Sequence, residues 1–191
     1  EANHWIDLAD AWLDGNGDAD VSRRISALRV RARLARSRGD LAEADALLVR
    51  GLALADALDT WNVERIALKL DRAQLHTETF DFALIKANAD EALALADAIY
   101  GPDHPSRANA LSALGISALN RNQLDEAEEY LRRALEIRVL TYGERHHVVA
   151  QSMVNLALVL QNNGDPEAAL TLYDEARAVA VAVHGEEHSL V

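Results

Sequence analysis

Tyr100-Gly101-Pro102-Asp103-His104-Pro105 returns as Tyr142-Gly143-Glu144-Arg145-His146-His147 and again as His184-Gly185-Glu186-Glu187-His188-Ser189, so the three glycines stand 42 residues apart. Landmarks between the markers keep the same step: Leu114 aligns with Leu156, Gly115 with Ala157, Ala127 with Ala169, and Ala134 with Ala176. A fixed period of this size marks a repeat architecture, in which each unit buries its apolar face against the next.

Within one period the apolar residues recur at three and four spacing on both sides of a short polar turn, which predicts two amphipathic helices. Leu111, Leu114, Ala118 and Leu119 line the first, and Leu124, Ala127, Leu131, Ala134, Leu135 and Ile137 the second, around Asn120-Arg121-Asn122-Gln123. Asn162-Asn163-Gly164-Asp165-Pro166 repeats the turn with stronger chemistry, because Gly suits the left-handed position after a helix and Pro the first turn of the next. Arg38-Gly39-Asp40 is an earlier turn of this kind, between helices reading from Val21 to Arg38 and from Leu41 to Leu58. In a fourth, at Thr77 to Asp81, Phe80 holds the place of the turn Gly or Asn, and Ile85 that of the small residue.

The apolar half of the 191 residues is mostly Ala, Leu and Val, with only three Pro, and this composition favours an all-α fold. A net charge of −12 argues against nucleic acid, which needs a basic stripe to release counterions. No apolar run is long enough to span a membrane. The chain has no cysteine, hence no disulfide or thiolate site, which fits a reducing, cytoplasmic compartment. Lys occurs only at 69 and 86 against abundant Arg and Ala, the usage of a GC-rich bacterial genome.

The large-residue, Leu-Gly and small-residue pattern of Leu111, Leu114-Gly115, Ala127 and Ala134 resembles the tetratricopeptide repeat. Met153, Leu156-Ala157, Leu160, Ala169, Tyr173 and Ala176 follow it, as do Leu28, Ala32, Gly39, Ala44, Leu48 and Gly51, with Arg31 a departure. The period, and Gly101-Pro102-Asp103-His104-Pro105 ahead of a first helix, are similar to the longer repeats of kinesin light chains, a variety shared by bacterial signalling proteins, some beside Ser/Thr kinase domains. The resemblance implies a right-handed superhelical solenoid of antiparallel helix pairs. The expected division is an N-terminal helix and Gly/Asp-rich turn over 1–20, then repeats over about 21–59, 60–100, 101–142 and 143–184, with a truncated fifth at 185–191. The start at Glu1 and the unfinished fifth repeat lead us to expect a piece of a longer regulatory protein.

The resemblance also implies a protein-interaction scaffold, not an enzyme, with no cofactor and a protein or peptide as partner. In such arrays the first helices line a concave groove, here contributing Arg29, Arg33 and Arg36, then Asp71 and Gln74, then Asn109 and Ser112, then Gln151, Val154, Asn155 and Leu158. Asn155 matches an Asn that contacts the cargo peptide in kinesin light chains. Asn and Gln amides can bond the backbone of an extended peptide, and three arginines on one helix face can take its acidic groups. The plainer reading of those arginines is a solvated face paired with Asp40, Glu43 and Asp45. An alternative role is a spacer or a self-association arm, making a homo-oligomer through the N-terminal helix with Trp5 and Trp12.

Two constellations resemble ion sites. Asp14-Gly15-Asn16-Gly17-Asp18-Ala19-Asp20 spaces oxygen ligands at alternate positions as a Ca²⁺ loop does. However, Ala19 stands where the sharp turn needs Gly and Ile25 where the ion needs a carboxylate, so we expect an ordinary turn with Asp20 capping the next helix. His104, His146 and His188 fall at the same repeat position, which predicts capping or packing at a helix start ahead of metal binding. No catalytic motif stands out.

Overall fold

The computed structural model describes residues 21–56 and 63–184. The Trp5/Trp12 helix, the Asp14–Asp20 loop, His188 and the fifth-repeat fragment lie outside the described residues. Among the described residues there are eight helices and no strand: α1 (Val21–Ser37), α2 (Leu41–Asp56), α3 (Val63–Glu78), α4 (Phe82–Tyr100), α5 (Pro105–Asn120), α6 (Leu124–Tyr142), α7 (His147–Asn162) and α8 (Pro166–His184). The all-helical hairpin architecture is the one the periodicity calls for. Two compact units divide the chain at Ala92/Leu93, inside α4.

The first unit packs α1 on α2 and both on α3. Ile25, Leu28, Ala32 and Ala35 of α1 meet Ala44, Leu48, Leu52 and Ala55 of α2, with Leu68 and Leu75 of α3 in the same cluster. The second unit pairs α5 with α6 and α7 with α8, and α6 also packs on α7. Its core holds Ala118, Ala127, Leu131, Leu156, Ala157 and Ala169, with Ala108, Leu111, Ala134 and Ile137 in a neighbouring cluster. Small residues let the helices approach closely. A Cβ on Gly115 would lie 2.6 Å from Leu131 Cγ and 3.3 Å from the Ala127 carbonyl oxygen, so α6 rests almost directly on the α5 backbone.

All four hairpin turns use one backbone device. The second residue after the first helix is left-handed, at φ +80° in Gly39, 55° in Phe80, 58° in Asn122 and +88° in Gly164. The amide of the following residue then donates back to the carbonyl five residues earlier: Asp40 to Ala35 at 3.0 Å, Asp81 to His76 at 3.2 Å, Gln123 to Ala118 at 2.9 Å, and Asp165 to Leu160 at 2.9 Å. This satisfies helix-end carbonyls that would otherwise lack a donor. Asp40, Asp81 and Asp165 then cap the second helix by accepting the amide N–H of Glu43, Leu84 and Ala168 at 3.0–3.1 Å. Gln123 makes no such side-chain bond.

The repeat-start histidines cap helices. Nδ1 of His104 accepts the Ser106 amide and Nδ1 of His146 that of Val148, each at 3.2 Å. Their rings stack on Tyr100 and Tyr142, with centroids 3.8 and 4.7 Å apart. Among the described residues, no three His, Cys, Asp or Glu side chains converge as a metal site would require.

Candidate functional site

In the first unit the expected arginine face is ion-paired across the helix interface. Arg29 Nε donates to Asp71 Oδ2 at 2.7 Å and Arg33 Nη2 to Asp71 Oδ1 at 3.2 Å, so one carboxylate of α3 bridges two guanidiniums of α1. Arg36 Nε lies 3.4 Å from Glu78 Oε1. The partners are therefore on α3, whereas the plainer reading placed them at Asp40, Glu43 and Asp45. Asp45 instead holds Arg72 at 2.7 Å, and Glu43 accepts from Arg38 at 3.1 Å. Spacings of four and three on α1 face Asp71 and Glu78, two turns apart on α3, so the helices are laced along their contact. The more exposed pairs, those of Arg33 and Arg36, each contribute at most about 1 kcal/mol. Gln74, on α3 between Asp71 and Glu78, is exposed.

In the second unit the expected residues fall on α5 and α7. Gln151, Val154, Asn155 and Leu158 follow the i, i+3, i+4, i+7 spacing of one helix stripe, and Val154 and Leu158 are 38% and 43% exposed although apolar. The other stripe of α7, Val149, Ser152, Leu156, Val159 and Leu160, is buried. Gln151 Nε2 donates to Asn155 Oδ1 at 3.3 Å, which ties the two amides together and leaves the Asn155 NH₂ as a donor. On α5, Asn109 is exposed, whereas Ser112 is buried and its hydroxyl has no hydrogen-bond partner.

The structure adds a residue to this face that the sequence reading did not single out. Arg138 of α6 is 8% exposed and reaches between α5 and α7. Nη1 donates to Ser152 Oγ at 2.6 Å and Nη2 to Asn109 Oδ1 at 2.9 Å, while the buried Nε has no partner. Desolvation lowers its pKa, partly opposed by Tyr142, yet an arginine stays protonated under such pressure. A signal for it was present in the sequence. Arg138 continues the stripe Ala127, Leu131, Ala134 at helical spacing, and a cation on a buried stripe calls for an explanation.

Paired helices closing in hairpins, with small residues at their crossings, define a helical-hairpin repeat protein. Two family models, each described as tetratricopeptide repeat, match residues 64–139 and 149–190, together more than half of the chain. The chain belongs to the tetratricopeptide repeat family. Its fold is similar to that of the nearly identical TPR-like repeats of a protein from Podosopora anserina described as a putative kinesin light chain, with a TM-score of 0.73 at 23% identity over 87% of this chain and 80% of that one. Among sequence relatives, the Clustered mitochondria protein homolog of Homo sapiens is 28% identical over 124 residues, 65% of this chain and 10% of that protein. The Type II methyltransferase M.CeqI of Rhodococcus hoagii is 33% identical over 130 residues, 66% of this chain and 23% of that protein. The chain thus spans a small fraction of either relative. Repeats of this family generally mediate protein–protein contacts, and their scaffold is typically without enzymatic activity. No helix among the described residues is long and apolar enough to cross a membrane.

Proposed function

We propose that this chain is a protein-interaction scaffold whose second unit takes an extended partner segment along α5 and α7. The observation that carries the reading is the α7 stripe. Gln151 and Asn155 offer amides for a peptide backbone, while Val154 and Leu158 keep apolar surface in solvent that a bound segment would cover. An unpartnered first-helix face of this composition has no use in the unit's own packing, since the opposite stripe of α7 supplies the core. In the first unit, Arg29, Arg33, Arg36 and Gln74 would meet acidic groups of a partner, which must compete with Asp71 and Glu78. We place the scaffold in a larger bacterial regulatory protein of the cytoplasm, on the Arg-rich, Cys-free composition, and assign it no catalysis.

The test is calorimetry of decapeptides selected from a random library against the chain. Asn155→Ala should weaken a selected peptide by about 0.5–1.5 kcal/mol, the worth of one hydrogen bond. Equal affinity in Asn155→Ala and in the Arg29/Arg33/Arg36 triple alanine variant would defeat this placement, as would a library with no saturable binder.

A further inference from the structure

We propose that Asn163 is a self-deamidation site, built into the turn between α7 and α8 by Gly164 and restrained by Glu128 of α6. In this chemistry an asparagine side chain is attacked by the amide nitrogen of the next residue, and the turn asparagines differ in how firmly that amide is held. The amide after Asn120 donates to the Ala118 carbonyl at 3.0 Å, the one after Asn122 to the same carbonyl at 2.9 Å, and the one after Asn162 to Val159 at 2.8 Å. The Gly164 amide, after Asn163, reaches only the Gln161 carbonyl at 3.4 Å, beyond the ordinary range. The side chains of Asn120 and Asn162 are occupied as well, donating to the carbonyls of Ile116 and Leu158 at 2.8 and 2.7 Å. Asn163 and Gly164 are both exposed, and the glycine has no side chain to shield its nitrogen.

The step balances with water as the only co-reactant. The Gly164 amide gives its proton to hydroxide, and its nitrogen bonds to Asn163 Cγ as the Cγ–Nδ2 bond breaks and ammonia leaves with a proton from water. Water then opens the five-membered imide at one of its two carbonyls. Opening at Cγ leaves an aspartate at position 163. Opening at the main-chain carbonyl leaves an isoaspartate, whose backbone runs through the side chain and is one methylene longer.

Glu128 holds this step back. Asn163 stands at φ −80° and ψ 0°, and its Nδ2 donates to Glu128 Oε2 at 3.2 Å, while Arg132 Nε fixes the other oxygen of Glu128 at 2.8 Å. To close the ring, the side chain must leave Glu128 and turn back on its own backbone. After conversion a carboxylate faces Glu128 where a donor stood, and like charges so placed repel. The longer isoaspartate backbone also draws the Asp165 amide off the Leu160 carbonyl, which it meets at 2.9 Å, and so loosens the turn. Asn163 thereby gives the last hairpin a slow, one-way mark of age.

The experiment holds the native chain at neutral pH in ¹⁸O-labelled water and maps its peptides by mass spectrometry at intervals, the label marking carboxyls formed during the incubation. We expect Asn163 to convert, with isoaspartate among the products, several times faster than Asn120, Asn122 and Asn162. Conversion no faster than at those three overturns the site, and this comparison needs no variant. Glu128→Ala should speed Asn163 by about two- to tenfold, the worth of one hydrogen bond, with Glu128→Gln, which still offers an oxygen, in between. If the alanine variant fails to fold by circular dichroism, the glutamine variant carries the comparison. An unchanged rate in the folded variant overturns the restraint by Glu128. The isoaspartate form, separated by ion exchange, should unfold at a lower urea concentration than the fresh chain. An equal midpoint would overturn the loosening of the turn.

Discussion

Phe80 and Asn122 hold the same place in successive hairpins, with left-handed φ of 55° and 58°, although only one of them is a residue type that enters this region readily. Phe80 is 72% exposed, and its ring meets Phe82 edge-on at 6.4 Å, a contact too exposed to offset the conformational cost. That cost is about 1–2 kcal/mol for an ordinary side chain. Phe80→Gly should therefore raise stability by about 0.5–1 kcal/mol, after allowing for the greater freedom of Gly in the unfolded chain. Urea denaturation checks this, and a loss of stability would show that the Phe80–Phe82 contact outweighs the strain.

The capping residues make a second comparison. Asp40, Asp81 and Asp165 accept an amide from their helices, and Gln123 does not. Gln123→Asp should add a cap at the N-terminus of α6, stabilising the chain by about 1 kcal/mol. The matched control is Asp165→Gln, expected to lose a similar amount in the same denaturation series.

Gly115 is a packing prediction. An alanine Cβ there would sit 2.8 Å from Leu131 Cδ2 as well as against Cγ, so the helices must separate or Leu131 must leave its rotamer. Gly115→Ala should cost about 1–3 kcal/mol. Combining it with Leu131→Ala should cost less than the sum of the two single changes, because the clash disappears with the leucine. Strict additivity in that double-mutant cycle would contradict the contact.

A pH dependence follows from His76, which is buried with its Nε2 3.6 Å from Asp45 Oδ1, beyond hydrogen-bond distance, and its Nδ1 3.3 Å from Thr79 Oγ1. Burial lowers its pKa, Arg72 adds to the depression, and Asp45 and Asp81 oppose it. The folded chain then binds fewer protons here than the unfolded one. Its contribution is complete above the unfolded value of about 6.5 and is lost as pH falls through the lower folded value. Between about pH 7.5 and pH 5.5 the native chain should lose more stability than His76→Gln. Parallel pH profiles would remove His76 as the cause.

Much of the fold was legible because helical periodicity and Gly or Asn in the turns act locally. Gly39 and Gly164 are left-handed, as their place after a helix suggests. Phe80 carries no local signal for that conformation, and only its alignment with the other turns pointed to it. Partners across helices were harder to see. Asp71 lies 42 residues from Arg29, so its role depends on how α3 packs beside α1, whereas Glu43 and Asp45 merely looked near in sequence. Arg138 was overlooked for the opposite reason. Its position on a buried stripe was visible, but its lack of a counter-charge is a property of the packed unit alone.

On this reading a partner segment lies along α5 and α7 of the second unit. Its most direct test is amide and side-chain NMR shift mapping of the labelled chain with a library-selected decapeptide. The largest shifts should gather at Asn109, Gln151, Val154, Asn155 and Leu158. Shifts centred on the exposed residues of α6 and α8, such as Leu140 and Leu170, would contradict it.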